Sequence, residues 1–429
     1  MIKTGLYNNV NEKLFEAIEN GDIEKIKLLL EYSNKKKRKL NLNNIKNKYR
    51  NHLLLEAINY DNFEIVKLLI EYANQHKIVL DLNKKDKDGI YPLLSATLKN
   101  NINIIKLIIE YSNQHHIILE LNEKDYDYGY KPLLVSVSKN NIKIVKLIIN
   151  YANQHHILLN LNEKFKFGWY LILLAVKNKN VEMVKILMEY ANQHQIILDL
   201  NKKNDTGIYP LLLAIYKNKK IELVKLLLDY ANQHQITLEL NEKNKYKNYP
   251  LLEAINYNNI EIVKLLIEYA NRHQIVLELN EKNEDGEYPL LLAIFNNNIV
   301  IVKLLIEYAN RHQMILTLNE KNIYGRYSLS NVISNNNTEL FKLLIEYANQ
   351  HQIILELNEK NKYENYPLTE AISKNNIEMI KLLTEYSIQH QIILKYDIKK
   401  VGNNSEIINI LIKYEEINKV KLYKKYFIK

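Results

Sequence analysis

Nine histidines recur along the chain at His76, His115, His155, His194, His234, His273, His312, His351 and His390. Neutral imidazole is a common zinc ligand and a proton carrier near neutral pH, so a histidine row first suggests a metal site or acid–base chemistry. The spacing argues against both. Successive members are 39 or 40 residues apart, and if each marks one copy of a repeated unit, neighbouring rings sit about 10 Å apart, the separation of packed helix layers. Zinc binds its nitrogen ligands at about 2.0 to 2.1 Å from a single ion. The adjacent pairs His115–His116 and His155–His156 send their side chains in different directions, and the chain has no cysteine to assist them. Each histidine of the row follows an apolar helical run, where bonding of the ring to an open helix-end carbonyl is the expected duty.

Other chemistry is equally thin. The sequence contains no G-x-x-x-x-G-K-[ST], no G-x-G-x-x-G and no H-E-x-x-H, the patterns that would cradle phosphates or hold a catalytic zinc. Acidic residues such as Glu261 and Glu268 sit at repeating helix positions and read as a solvated face. The sequence predicts neither an enzyme nor a cofactor. The formal charge is +10, but Lys and Glu alternate along almost every unit. That interspersion counts against a nucleic-acid stripe, which needs lysines gathered on one face. No apolar run reaches the 18 or so residues that span a bilayer, and the start, MIKTGLYNNVNEKLFEAIE, lacks the apolar core of a secretory signal. The expectation is a monomer without membrane insertion, cytoplasmic or alternatively nuclear. The abundance of Asn, Lys, Ile and Tyr reads as a coding bias.

The elements around the histidines repeat with them. A tyrosine closes an apolar run at Tyr32, Tyr72, Tyr111, Tyr151, Tyr190, Tyr230, Tyr269, Tyr308, Tyr347 and Tyr386, at intervals of 39 or 40 residues. So regular a period indicates a solenoid. In residues 241–279, Pro250 opens PLLEAI, a polar break follows, and IEIVKLLIEYA places Ile260, Val263, Leu266 and Ile267 on one helical face. All six prolines, Pro92, Pro132, Pro210, Pro250, Pro289 and Pro367, share this helix-start phase. Asn258 and Asn297 replace Gly21 between the helices, as the next best residues for a left-handed backbone. The Q-I-I-L-E-L-N segment predicts a short extended loop leading into a turn. Each unit therefore reads as helix, tight turn, helix, extended loop.

The phrase D-x-x-G-x-Y-P-L-L-x-A-I followed by N-x-x-I-V-K-L-L-I-E-Y, as from Asp285 to Tyr308, resembles the ankyrin repeat. The likeness covers nearly the whole chain, from NEKLFEAIENGDIEKIKLLLEY at 11–32 to a worn unit at NNSEIINILIKYEE, 403–416. It implies an all-α ankyrin-like repeat solenoid with short hairpin loops and about 11 stacked units, whose concave face of hairpin tips and first helices binds another protein. Ankyrin units usually have about 33 residues, so roughly six are added here, in the ANQHQIILE stretch. The family's Thr-Pro-Leu-His start is replaced by Tyr-Pro-Leu-Leu at 249–252, which removes the usual Thr and His bonds and leaves packing to the tyrosine. The expected organisation is a single solenoid over 1–429, with 11–34 as N-terminal cap, 35–390 as regular units, and 391–429 as a degenerate C-terminal cap with a basic tail.

In a repeated scaffold, specificity resides where equivalent positions differ. The hairpin tips carry Tyr126, Tyr128, Phe165, Phe167, Trp169, Tyr246, Tyr324 and Tyr363, while Tyr216 and Tyr257 stand late in first helices. Aromatics give much contact area at small entropy cost, so these ten are the candidate partner-binding residues. The competing role for KFKFGWY at 164–170 is packing between hairpins. A separate outlier is KKKRK, Lys35, Lys36, Lys37, Arg38 and Lys39, which resembles a nuclear-import run. Lys-rich hairpins together with that run carry the alternative reading, binding of nucleic acid or an anionic surface.

Overall fold

The computed structural model describes residues 10–36, 40, 42–43, 52–216, 220–361 and 363–418. Their regular structure is helical throughout, with 21 α-helices, two single-turn 3-10 helices and no strand among the described residues. The fold is an all-α solenoid of repeated helix pairs. It divides into two compact units, Met1–Asp205 and Thr206–Lys429.

In the first unit the helix pairs begin with Val10–Glu19 and Ile23–Lys35 and end with Leu171–Lys177 and Val181–Gln193. In the second they run from Pro210–Ile215 and Ile221–Gln233 to Pro367–Ser373 and Ile377–Gln389, followed by Ser405–Ile417. Within each unit, short first helices pack on the first helices of neighbouring repeats, and second helices on second helices. All six prolines occupy the first helical position, where a missing N–H leaves no bond unmade.

Between the helices Asn258 and Asn297 adopt φ +53. The next residue, as Asn259, caps the second helix by accepting the Ile262 N–H at 3.1 Å. Its counterpart Asn298 caps through Ile301 at 3.1 Å and also donates to Asn258 of the preceding repeat. Asparagine abundance thus has a structural use beyond any coding bias. A second asparagine ladder ties the added loops: Asn280 Nδ2 donates to the Ile315 carbonyl at 2.7 Å, and its Oδ1 accepts the Thr317 N–H at 2.9 Å. The side-chain amide pairs with the next loop as a strand backbone would, and so orders an extended segment that forms no sheet.

The landmark tyrosines complete the joint. Tyr308 donates to the Ile275 carbonyl at 3.2 Å and accepts the Leu277 N–H at 3.1 Å. Tyr111, Tyr151, Tyr190, Tyr269 and Tyr386 bridge the preceding loop in the same way. Tyr414 does so for Ile392 and Leu394 in the worn last repeat. The tyrosine ahead of six of the first helices is also inside: Tyr91, Tyr170, Tyr209, Tyr249, Tyr288 and Tyr327 are fully buried. Tyr249 donates to the carbonyls of Glu278 and Glu281 at 3.0 and 3.1 Å. The tyrosine therefore both packs and supplies hydrogen bonds at the start where the Thr and His bonds are missing.

The histidine rings do not cap the helix ends, contrary to the sequence expectation. Backbone amides already take those carbonyls: Ile275 N–H reaches Ala270 O at 2.9 Å, with Gln274 left-handed at φ +56. Each ring instead packs on the tyrosine four residues earlier, with centroids 4.1 to 4.3 Å apart. In most of them Nε2 donates to an asparagine of the preceding repeat, as in His115 to Asn74, His194 to Asn153 and His273 to Asn232, each at 2.8 Å, whereas His76 Nε2 is buried without a hydrogen-bond partner among the described residues. Among the described residues no three His, Cys, Asp or Glu side chains converge as a metal set would.

Candidate functional site

Most hairpin tips are built on one Asx side chain; in the tip at 164–169 Phe165 stands in its place and the turn closes through the backbone, Phe165 N–H to Trp169 O at 2.9 Å and Gly168 N–H to Phe165 O at 2.9 Å. Asn283 Oδ1 accepts the N–H groups of Asp285 and Glu287 at 3.0 and 2.9 Å, and Asn322 repeats the arrangement with Tyr324 and Arg326. This satisfies the turn internally and leaves the intervening side chains to point outward. Consecutive tips are joined by one backbone bond per step: Tyr126 N–H to Asp88 O, Lys166 to Tyr128 and Asp205 to Phe167 in the first unit. Glu284 to Tyr246 and Ile323 to Asp285 do the same in the second. Gly168 is required at one such step, because a Cβ there would lie 2.7 to 2.9 Å from atoms of Asn204 and Asp205.

In the first unit the structure brings several candidate residues together. Tyr128 stacks on Tyr130 with centroids 5.3 Å apart, and Tyr130 meets Phe165 at 6.3 Å. Lys166 Nζ lies 4.2 Å from the Tyr128 ring centre and 5.5 Å from that of Phe167. Lys177 covers Trp169 at 4.5 Å. Tyr126, Tyr128 and Phe167 are exposed, whereas Phe165 and Trp169 are half-buried against their neighbours. Phe167 holds φ +64, an uncommon backbone for a bulky residue. The patch thus has a packed base and an exposed aromatic rim, with lysines lying over the rings.

The second unit spreads its aromatics more widely. Tyr216 and Tyr257 meet edge to face at 6.0 Å. The Arg326 guanidinium lies between Phe295, at 4.7 Å, and Tyr324, at 5.5 Å. Lys245 lies 4.8 Å from the Tyr246 ring centre, and Tyr363 is exposed on its own tip. The sequence reading missed Phe295 and Tyr130. Phe295 occupies the phase of Tyr216, six residues after its proline, and that alignment was the available signal.

The tyrosine rule is broken at His52, ahead of Leu53–Asn59, and at Lys131. Lys131 stands where its neighbouring repeats bury Tyr91 and Tyr170, and its Nζ bonds Glu163 of the next loop. The lysine hydrogen bond holds the Glu163 carboxyl below the usual carboxylate range, against a smaller opposing effect of burial. A cavity beside this pair is lined by Leu121, Leu133, Leu159, Phe165 and Leu171. In the second unit Glu287 has the opposite tendency: burial pushes its pKa up, partly offset by the Asn322 amide at 2.7 Å.

The hairpin lysines form lengthwise ion pairs: Lys85–Glu123 at 2.6 Å, Lys243–Glu281 at 2.6 Å, Lys282–Glu320 at 2.8 Å and Lys321–Glu359 at 2.5 Å. Of the basic run, Lys35 ends its helix and Lys36 caps it. Lys37, Arg38 and Lys39 lie outside the described residues, as does the tail from 419 to 429. No described helix is long and apolar enough to cross a membrane.

The family model for ankyrin repeats (3 copies) matches residues 75–157, 151–238, 172–276 and 220–316, which together span more than half of the 429 residues. No curated protein matches the sequence. Among solved structures, the chain is similar to the ankyrin repeat domain of Bcl-3, described as a unique member of the IkappaB protein family. The identity is 18%, with a TM-score of 0.40, over 59% of this chain and 97% of that one.

Proposed function

The chain belongs to the ankyrin repeat family, whose repeats bind other proteins, and on that premise we propose that it is a non-enzymatic adaptor holding a protein partner along its hairpin tips and first helices. The observation that carries this reading is the first-unit patch, where Tyr126, Tyr128 and Phe167 are exposed above a packed base of Tyr130, Phe165 and Trp169. Rigid aromatic rims of this kind are what protein interfaces bury. The alternative, nucleic-acid or anionic-surface binding, is weakened by the pairing of hairpin lysines with glutamates of the next repeat. Those carboxylates would compete with every phosphate.

Capture of the intact protein from its own cell extract tests the proposal, with bound protein and nucleic acid both identified. A protein retained from about 0.15 M to about 0.5 M salt, where exposed charge contacts are strongly screened, and lost from the Phe165→Ala/Phe167→Ala/Trp169→Ala variant would support it. Nucleic acid alone, released by the higher salt, would overturn it. Phe167→Ala by itself guards against misfolding, since its ring is exposed.

A further inference from the structure

The loop added to the repeat exposes an aliphatic side chain at one fixed phase in eight repeats. In the first unit these are Val79, Ile118, Leu158 and Ile197, between 54% and 58% exposed, and each is followed by a buried leucine. The alternation explains the leucine, which faces the core, but gives the exposed residue no internal task. Thr237 stands at the same phase in the second unit, so the loop is also built with a polar β-branched residue there. An apolar residue at every one of four consecutive exposed positions is what an interface supplies.

Two further rows flank it, exposed except at Asp199, which is half-buried and paired with Lys202 at 3.3 Å. Two residues before stand Lys77, His116, His156 and Gln195; two residues after stand Asp81, Glu120, Asn160 and Asp199. The first row is basic or neutral and the second acidic or neutral. A two-fold axis lying along the rows would bring like repeats face to face and invert the order across them. The aliphatic rows would then meet, Lys77 would oppose Asp81 of the second copy, and His116 would oppose Glu120. A row with a period of 39 or 40 residues finds its best match in another row of the same period, and a second copy has one by construction. The second unit keeps the aliphatic row at Val276, Ile315, Ile354 and Ile393 but replaces the basic flank with Gln274, Gln313, Gln352 and Gln391, and ends the acidic flank in Lys395. Charge complementarity therefore selects the first unit.

We propose that the loop edge of residues 77–199 is a self-association surface on which a second copy of this chain docks in parallel through its aliphatic row. The proposal is independent of the hairpin reading, and the Phe165→Ala/Phe167→Ala/Trp169→Ala variant should self-associate like the parent.

Sedimentation equilibrium of the full chain tests it, at concentrations up to about 100 µM, where a contact of micromolar strength is saturated. The parent should reach twice the chain mass. Val79→Thr/Ile118→Thr/Leu158→Thr/Ile197→Thr should keep its helical circular dichroism and dimerise about a hundredfold more weakly, while the corresponding threonine changes at 276, 315, 354 and 393 should have little effect. Asp81→Lys should weaken the dimer and Lys77→Asp/Asp81→Lys should restore it. A parent that stays monomeric, equal loss from the second-unit variant, or failure of the double charge swap to restore association would each overturn the proposal. A monomeric parent whose capture of another protein depends on the four aliphatic residues would assign the edge to a different occupant.

Discussion

The two edges of the repeat differ in kind. The loop edge repeats nearly letter for letter, as in YANQHQIILELNEKN at 347–361 and YANQHQITLELNEKN at 230–244, whereas the hairpin edge changes from KDYDYG to KFKFG to KNDTG. On the loop edge most repeated letters have an internal job: Tyr bridges the previous loop, His reaches back to Asn, and Asn pairs with the following loop. On the hairpin edge one Asx side chain closes most turns, and backbone bonds alone close the turn at Phe165, so the residues between are free to vary. Repetition therefore records the scaffold, and the proposed recognition is placed in the variation. The exception is a repeated residue without an internal task, such as Ile118.

The strongest way to break this comparison is to remove a scaffold atom. Tyr151→Phe deletes the hydroxyl that bonds Ile117 O at 3.0 Å and Leu119 N–H at 3.1 Å. With two buried backbone groups left unpaired, it should destabilise the first unit by about 2 to 4 kcal/mol. Denaturant unfolding, together with hydrogen exchange at Leu119, measures it; an unchanged midpoint would mean that water takes over the joint. Changing the hairpin edge should do the reverse. Phe165→Ala/Phe167→Ala/Trp169→Ala should weaken partner binding about thirtyfold, the effect of one or two interface hot spots, with most of the helical signal intact.

Lys131→Tyr sharpens the comparison by restoring the scaffold rule. The ring would take the buried position that Tyr91 and Tyr170 hold in the neighbouring repeats, and after loss of the Glu163 bond the net stabilisation should be about 1 kcal/mol, read as a higher melting temperature. Gln274→Gly should add somewhat less, roughly 0.5 to 1 kcal/mol, because glycine takes the left-handed position without the Cβ penalty. A drop in melting temperature would show that the Gln274 side chain contributes more than its backbone costs.

The smallest effect is in pH. Glu163 is lowered by Lys131, so its contribution is present above the ordinary glutamate pKa and is lost as pH falls through the depressed value. Its partial exposure keeps this below about 1 kcal/mol. Glu287 is raised by burial, so its charge costs stability at neutral pH and that cost disappears as pH falls through the raised value. Unfolding of Glu163→Gln and Glu287→Gln between neutral and acid pH should show opposite signs: the first loses stability at pH 7 and the second gains it.

Much of the scaffold was legible in the sequence. The prolines marked helix starts because their missing N–H is tolerated there, and Asn258 and Asn297 marked a left-handed turn. What could not be read were partners one repeat away. Nothing in the local sequence tells His115 that Asn74 lies beside it, 41 residues earlier, since that proximity follows from stacking. The ring was therefore assigned to helix-end carbonyls that the backbone of the following loop already satisfies. Phe295 is a different case: it had a local signal, the phase of Tyr216, which the sequence reading used for Tyr216 but did not extend to the phenylalanine.

Hydrogen exchange of the captured complex against the free protein tests the recognition claim most directly. The account predicts slowed exchange at the tip amides around 126–130 and 164–169 on partner binding, with the loop amides of Leu119 and Leu159 unchanged at fixed protein concentration. Protection confined to the loop edge, with the tips exchanging as in the free protein, would contradict it.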